Sequence, residues 1–235
     1  MDHRSFLASF KPHPLQTSAI EKLRSGLAGG IAILLLMLLI RHLPQVVHPL
    51  LIVTSMAASA TLLYATPHSP LTQPWNLVGG HLVSALVGVS CGAFIPDQAV
   101  AAGVAVGTAI LLMQFLNCLH PPGGATALVM AIGSTQLHDA GWLGSLYIVA
   151  INAGIMLLLA LTINNLLKGR RYPVQAPVPP TPPKPAPFIT LDQTDLAWAL
   201  KQMDSMIDVS EEDLAEIYKL ALHSAQKRID AAMPG

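Results

Sequence analysis

One run of residues, Asn117-Cys118-Leu119-His120-Pro121-Pro122-Gly123-Gly124-Ala125-Thr126-Ala127, places an amide, an imidazole, a proline pair and a glycine pair inside a long apolar stretch. Proline suits the first turn of a helix because its missing N–H would be without a helical partner there. Glycines just behind it let another group approach the backbone. The run therefore reads as the start of a half-helix, whose free N–H groups and positive dipole end suit an anion. Asn117 and His120 add side-chain donors and Thr126 a hydroxyl. The candidate anion-binding set is Asn117, His120, Pro121, Pro122, Gly123, Gly124, Ala125 and Thr126. The plainer alternative is an interhelical turn in which His120 caps a carbonyl. His81, in Asn76-Leu77-Val78-Gly79-Gly80-His81, is a second imidazole in an apolar run. It reads as a gate or proton carrier, since imidazole titrates near neutrality, or as a histidine held by a backbone carbonyl. Ser55 and Ser59 complete the candidates, although single hydroxyls in helices often bond to their own backbone.

Other chemistry is not indicated. No Ser-His-Asp set, GxSxG elbow, P-loop or HExxH helix is present, and His and acidic residues never fall at metal-ligand spacing. The expectation is no enzyme, no cofactor and no metal. Cys91 and Cys118 form no CxxC pair and read as packing residues. The charge balance, 13 Lys and Arg against 13 Asp and Glu, leaves no basic patch for nucleic acid. Asp97 and Asp139 stand at segment ends, so no carboxylate is expected inside the bundle, and a cation path normally wants one. A small anion or neutral polar solute fits better.

The elements that must position these residues are membrane helices. The chain has 235 residues, of which 11% are charged, against about 25% in soluble domains. Between Arg41 and Lys168 the charged residues are Asp97 and Asp139 alone. Apolar runs cover about Leu23–Ile40, Val46–Ala65, Trp75–Phe94, Ala99–Leu116, Pro121–Gly133 and Trp142–Leu167. A span needs ~20 apolar residues, so the fifth run is too short to cross alone, and four crossings are the alternative to six. Positive flanks (Lys11, Lys22, Arg24; Lys168, Arg170, Arg171) place both termini in the cytoplasm, and no cleavable signal is expected. The fold class is an all-α polytopic bundle of about six segments with a small helical tail.

At an offset of 67 residues, Ala58-Ser59-Ala60 aligns with Ala125-Thr126-Ala127 and Trp75 with Trp142. This predicts an inverted repeat of two three-segment halves, with a site where broken helices meet. Small-residue stripes (Gly80, Ser84, Gly88, Gly92; Ala99, Gly103, Gly107; Gly26, Gly30) predict close helix packing. The expected organisation is an N-terminal tail over 1–22, a transmembrane domain over 23–171, a Pro-rich linker over 172–188 and a cytoplasmic tail over 189–235. The tail has helices at about Asp192–Met206 and from Ser210. It is expected to dock on the membrane domain or to pair with another copy in a homo-oligomer.

Two blocks resemble the HPP family of integral membrane proteins. One is His120-Pro121-Pro122 with Gly-Gly-Ala-Thr-Ala behind it. The other is Ser55-Met56-Ala57-Ala58-Ser59-Ala60 followed by Pro67-His68-Ser69-Pro70-Leu71-Thr72-Gln73-Pro74-Trp75-Asn76 and Gly79-Gly80-His81. The departures are Ala57 for Gly, Thr72 for Ala and Trp75 for Arg, the last removing a positive charge. The resemblance covers about residues 20–170. It implies a multi-pass region of four spans, and nitrite as the solute. The expected function is therefore an inner-membrane transporter or channel for a small anion. A non-transporting scaffold or sensor acting through the tail is the alternative. The lipid bilayer and the anion are its expected partners.

Overall fold

Backbone groups in hydrocarbon must find partners within the chain, so helix is the structure open to long uncharged runs. The computed structural model describes residues 10, 17–42, 53–133, 141–174 and 218, and all that follows concerns these. Residues 1–9 and 11–16 of the N-terminal tail, the Pro-rich linker beyond residue 174, both tail helices apart from Tyr218, residues 46–52 of the second run and the polar turn at His138 and Asp139 lie outside them.

Six α-helices form: α1 Ala19–Ile40, α2 Val53–Ala65, α3 Pro74–Phe94, α4 Gln98–Phe115, α5 Pro121–Ile132 and α6 Gly141–Leu166, with a 3-10 turn at Pro70–Thr72. The all-helical expectation holds. Helices α1, α3, α4 and α6 are long and apolar enough to cross a bilayer. The 12 residues of α5 extend only ~18 Å. Local chemistry sets the ends. Pro74 opens α3 at a first-turn position, and the Asp97 carboxylate caps α4 by accepting from Val100 N–H at 2.9 Å.

Long-range contacts give each helix its direction. At one end of the unit, an Arg170 Nη2 hydrogen bond to Ser25 Oγ (2.8 Å) joins the start of α1 to the segment after α6. At the same end Asn164 Nδ2 donates to Leu63 O near the end of α2, and Tyr172 Oη donates to Thr72 O just before α3. There too Trp75 Nε1 at the start of α3 donates to Leu116 O just past α4. At the other end, the Phe94 and Trp142 rings meet edge to face, so α6 begins where α3 ends. Helix α5 runs parallel to α3, because Gly80 faces His120 while Gly88 faces Met130. Direction therefore alternates from α1 to α6. The triplet α1–α3 and the triplet α4–α6 run in opposite senses, which is the inverted topology expected of the repeat. Helix bounds keep the same offset. Helices α2 and α5 end at Ala65 and Ile132, and α3 and α6 start at Pro74 and Gly141, each pair 67 apart.

Helix α3 is the hub and packs on α4, α5 and α6. Its stripe works as expected. A Cβ added at Gly80 would lie 2.6 Å from His120 Cβ, and one at Gly88 would lie 2.6 Å from Met130 Cβ. The other stripes do not. Gly26, Gly30, Gly103 and Gly107 would meet nothing within 4 Å, so those faces are not covered by this unit. The reason in α1 is that bulkier residues take the contact: Ala28, Ala32, Leu36 and Ile40 form its buried face. The start of the expected linker also belongs to the membrane unit. Tyr172 is buried, and Val174 N–H donates to Gln73 Oε1 at 2.9 Å.

Candidate functional site

Four polar side chains from four segments meet inside the bundle. Ser59 comes from α2, His81 from α3, His120 from the turn before α5, and Thr126 from α5 itself. Their exposures are 0%, 0%, 0% and 1%. Ser59 Oγ lies 2.8 Å from His81 Nε2 and 2.9 Å from His120 Nε2. His81 Nδ1 lies 2.7 Å from Thr126 Oγ1, and His120 Nδ1 lies 2.8 Å from Leu71 O. The rings stand edge to face with centroids 5.0 Å apart.

The partners assign the protons. A carbonyl oxygen only accepts, so His120 Nδ1 carries hydrogen and donates to Leu71 O. In the neutral ring, Nε2 then accepts from the Ser59 hydroxyl. Ser59 oxygen in turn accepts from His81 Nε2–H, and His81 Nδ1 accepts from the Thr126 hydroxyl. The chain Thr126→His81→Ser59→His120→Leu71 thus has one consistent sense, and every heteroatom in it has a partner. Ser55 O, at 3.1 Å, is a longer alternative acceptor for the single Ser59 proton. Ser55 itself is buried one turn before Ser59.

Two braced segments hold His120 and its carbonyl partner. In the 66–73 loop, Ser69 Oγ accepts from Leu71 N–H, Thr72 Oγ1 donates to Ser69 O at 2.7 Å, and Gln73 Nε2 donates to Ser69 O at 2.8 Å. These bonds hold Leu71 O toward His120. The α4–α5 turn is fixed by a Schellman pair, Cys118 N–H to Met113 O and Asn117 N–H to Gln114 O. Asn76 Nδ2 adds a bond to Leu119 O at 2.9 Å. Burial raises the pKa of the Tyr172 phenol, which keeps it a neutral donor to Thr72 O.

Of the expected residues, Ser59, His81, His120 and Thr126 converge. Asn117 does not join them. It is exposed, at φ 52°, in the left-handed position that ends a helix, a conformation asparagine tolerates. Pro121 and Pro122 occupy the first two positions of α5 as expected, but the free backbone donors expected there are missing. The prolines have no N–H, and Gly123 N–H donates to His120 O at 2.8 Å. Gly123 has no room for a ligand either, since a Cβ there would sit 2.8 Å from Ser84 Oγ and 3.0 Å from Met113 Sδ. Gly124 and Ala125 are half-buried in the first turns of α5. His120 does cap a carbonyl, as the plainer alternative had it, while its other nitrogen enters the cluster.

Sequence reasoning missed the role of Leu71 O, which no side-chain pattern reveals. It also read Arg170 only as a flanking charge. That guanidinium is buried, with Nη1 bonded to Asn164 Oδ1 at 3.1 Å and Nη2 to Ser25 Oγ. Among the described residues no three His, Cys, Asp or Glu side chains gather to hold a metal ion.

Comparison with known proteins bears on the same segments. The profile of the family described as HPP, transmembrane region, matches residues 14–173. Two transmembrane proteins of Dictyostelium discoideum are similar. One is 47% identical over 130 residues, covering 52% of this chain and 44% of the relative. The other is 43% identical over 157 residues, covering 64% of this chain and 49% of the relative. The chain thus spans less than half the length of either. No solved structure matches it significantly.

Proposed function

The chain belongs to the HPP transmembrane family, and we propose that it is a transporter for a small anion, with nitrite the first solute to test. The observation that carries this reading is the Ser59–His81–His120–Thr126 cluster. It is polar, buried among apolar helices and sits where two inverted halves meet, the place where transporters of that architecture hold their solute. Ionisable side chains inside a membrane bundle are rare and face its interior where they serve a solute or proton path. The cluster contains no carboxylate, and its His120 stands at the N-terminus of α5, the positive end of that helix dipole. Both features favour negative over positive solutes. In this reading the positive flanks favour a cytoplasmic position for the end that joins Ser25 to Arg170, and the proposed location is the inner membrane.

Flux into proteoliposomes tests the reading. Nitrite and other small monoanions should enter vesicles holding the full chain faster than empty ones. His120→Ala, which removes both the Ser59 and the Leu71 contacts, should cut that flux at least ~10-fold, the scale of about 1.4 kcal/mol. Equal flux in loaded and empty vesicles across the panel would remove the proposal.

A further inference from the structure

Resting on that reading, we infer that the chain Thr126–His81–Ser59–His120 is a proton path, and that the transporter carries a proton with its anion. The geometry comes first. Each link is 2.7 to 2.9 Å long, each joins a group able both to give and to take a proton, and the Leu71 carbonyl fixes one starting sense. A proton reaching the Thr126 hydroxyl lets Thr126 pass its own hydrogen to His81 Nδ1. His81 passes its Nε2 hydrogen to Ser59, and Ser59 passes its own to His120 Nε2. One proton has been added, nothing is oxidised or reduced, and the positive charge rests on His120, shared through Nδ1–H with Leu71 O. Release is from Nδ1 to water when the Leu71 contact opens. The chain is then left donating in the opposite sense, and each group must turn to reset it.

Charge supplies the coupling. Between Arg41 and Lys168 there is no Lys or Arg, and an anion entering apolar surroundings without a countercharge is strongly disfavoured. The imidazoles are the groups inside the bundle that can become cations. The ionisable group facing each ring is the other ring. Tyr64 on α2, Cys91 on α3, Cys118 in the α4–α5 turn, Tyr147 on α6 and His68 in the loop are the other titratable groups of the surrounding elements. None of them bonds either ring, whose nitrogens are all engaged as described. Asp97 stands beyond the other end of α3, Lys168 and Arg171 follow α6, and Arg170 is held by Asn164 and Ser25.

The experiment uses the full chain in vesicles clamped at zero voltage, with nitrite outside and a pH dye inside. Labelled nitrite counterflow at equal pH is measured first. Its absence would overturn the transport reading, and this inference with it. With counterflow present, an inward gradient of about one pH unit should support about tenfold accumulation for one proton per anion. Accumulation should be reached faster than in empty vesicles, with acidification that follows the anion. Counterflow that ignores the gradient would overturn the proton path and leave the transporter standing. Thr126→Val and Ser59→Ala should abolish the response of whatever flux remains to the gradient, and Thr126→Ser should restore it. A Thr126→Val protein that still responds like the unaltered chain would also overturn the path.

Discussion

Gly80→Ala separates the helix-packing argument from the composition argument. The added Cβ would lie 2.6 Å from His120 Cβ and 2.9 Å from Cys118 O. Carbon atoms in contact sit about 3.5–4.0 Å apart, so His120 must retreat by about 1 Å. Its bonds to Ser59 and Leu71, 2.9 and 2.8 Å long, would then stretch past hydrogen-bonding range. Overpacking costs about 1–3 kcal/mol, and each lost bond adds about 1 kcal/mol. The total is about 3–5 kcal/mol by those two rules. Thermal unfolding in detergent should show a clear loss of stability, and nitrite flux should fall with it. Gly103→Ala is the matched control, because its Cβ would meet nothing within 4 Å. It should stay within about 0.5 kcal/mol of the parent. A Gly80→Ala protein with the parent's melting temperature and flux would refute the reasoning.

Asn117→Gly should keep stability and flux, because glycine adopts the φ 52° of that position freely. Asn117→Val should destabilise by about 1–2 kcal/mol, measured by the same melt; an Asn117→Gly protein that melts normally but has lost its flux would return Asn117 to the binding set. Deleting residues 180–235 should leave flux intact and deleting residues 172–235 should not, because Tyr172 and Val174 are bonded to Thr72 and Gln73. Flux lost on the shorter deletion would give the tail a part in transport, whereas no flux from the full chain or from either deletion would favour the scaffold reading.

How much of this could be read from sequence depends on the range of the cause. The long helices followed from uncharged length, and α5 from prolines that cannot sit deeper in a helix. The HPP string and the Ser69–Asn76 string were both visible, but their relation was not. One places His120, and the other holds the carbonyl and the turn that aim it, across 49 residues of separation between His120 and Leu71. The stripes failed in α1 and α4 because spacing shows only that close approach is open to a helix, not that a neighbour takes it. The place of Asn117 outside the cluster was not legible, because a polar residue near a helix break serves a turn as readily as a ligand. The anion-binding backbone was misread for a related reason: proline makes a good helix start by having no donor, so a doubled proline removes the donors it was thought to advertise.

The repeat gives the cluster its logic. Ser59 and Thr126 are equivalent by the 67-residue offset, yet both bond His81, which has Ile148 as its counterpart, while His120 has Val53. The histidines therefore break the symmetry that the hydroxyls keep. Of the four links in the cluster, Ser59–His81 lies within the α1–α3 half. Ser59–His120, His81–Thr126 and His120–Leu71 all join that half to the other. Any rocking of one half against the other must open links through which a proton would pass, and at about 1 kcal/mol each those links are weak enough to open. The bonds that hold the halves together at the cluster and the bonds that would carry a proton are the same bonds, so charge on His120 and the relative position of the halves cannot vary independently.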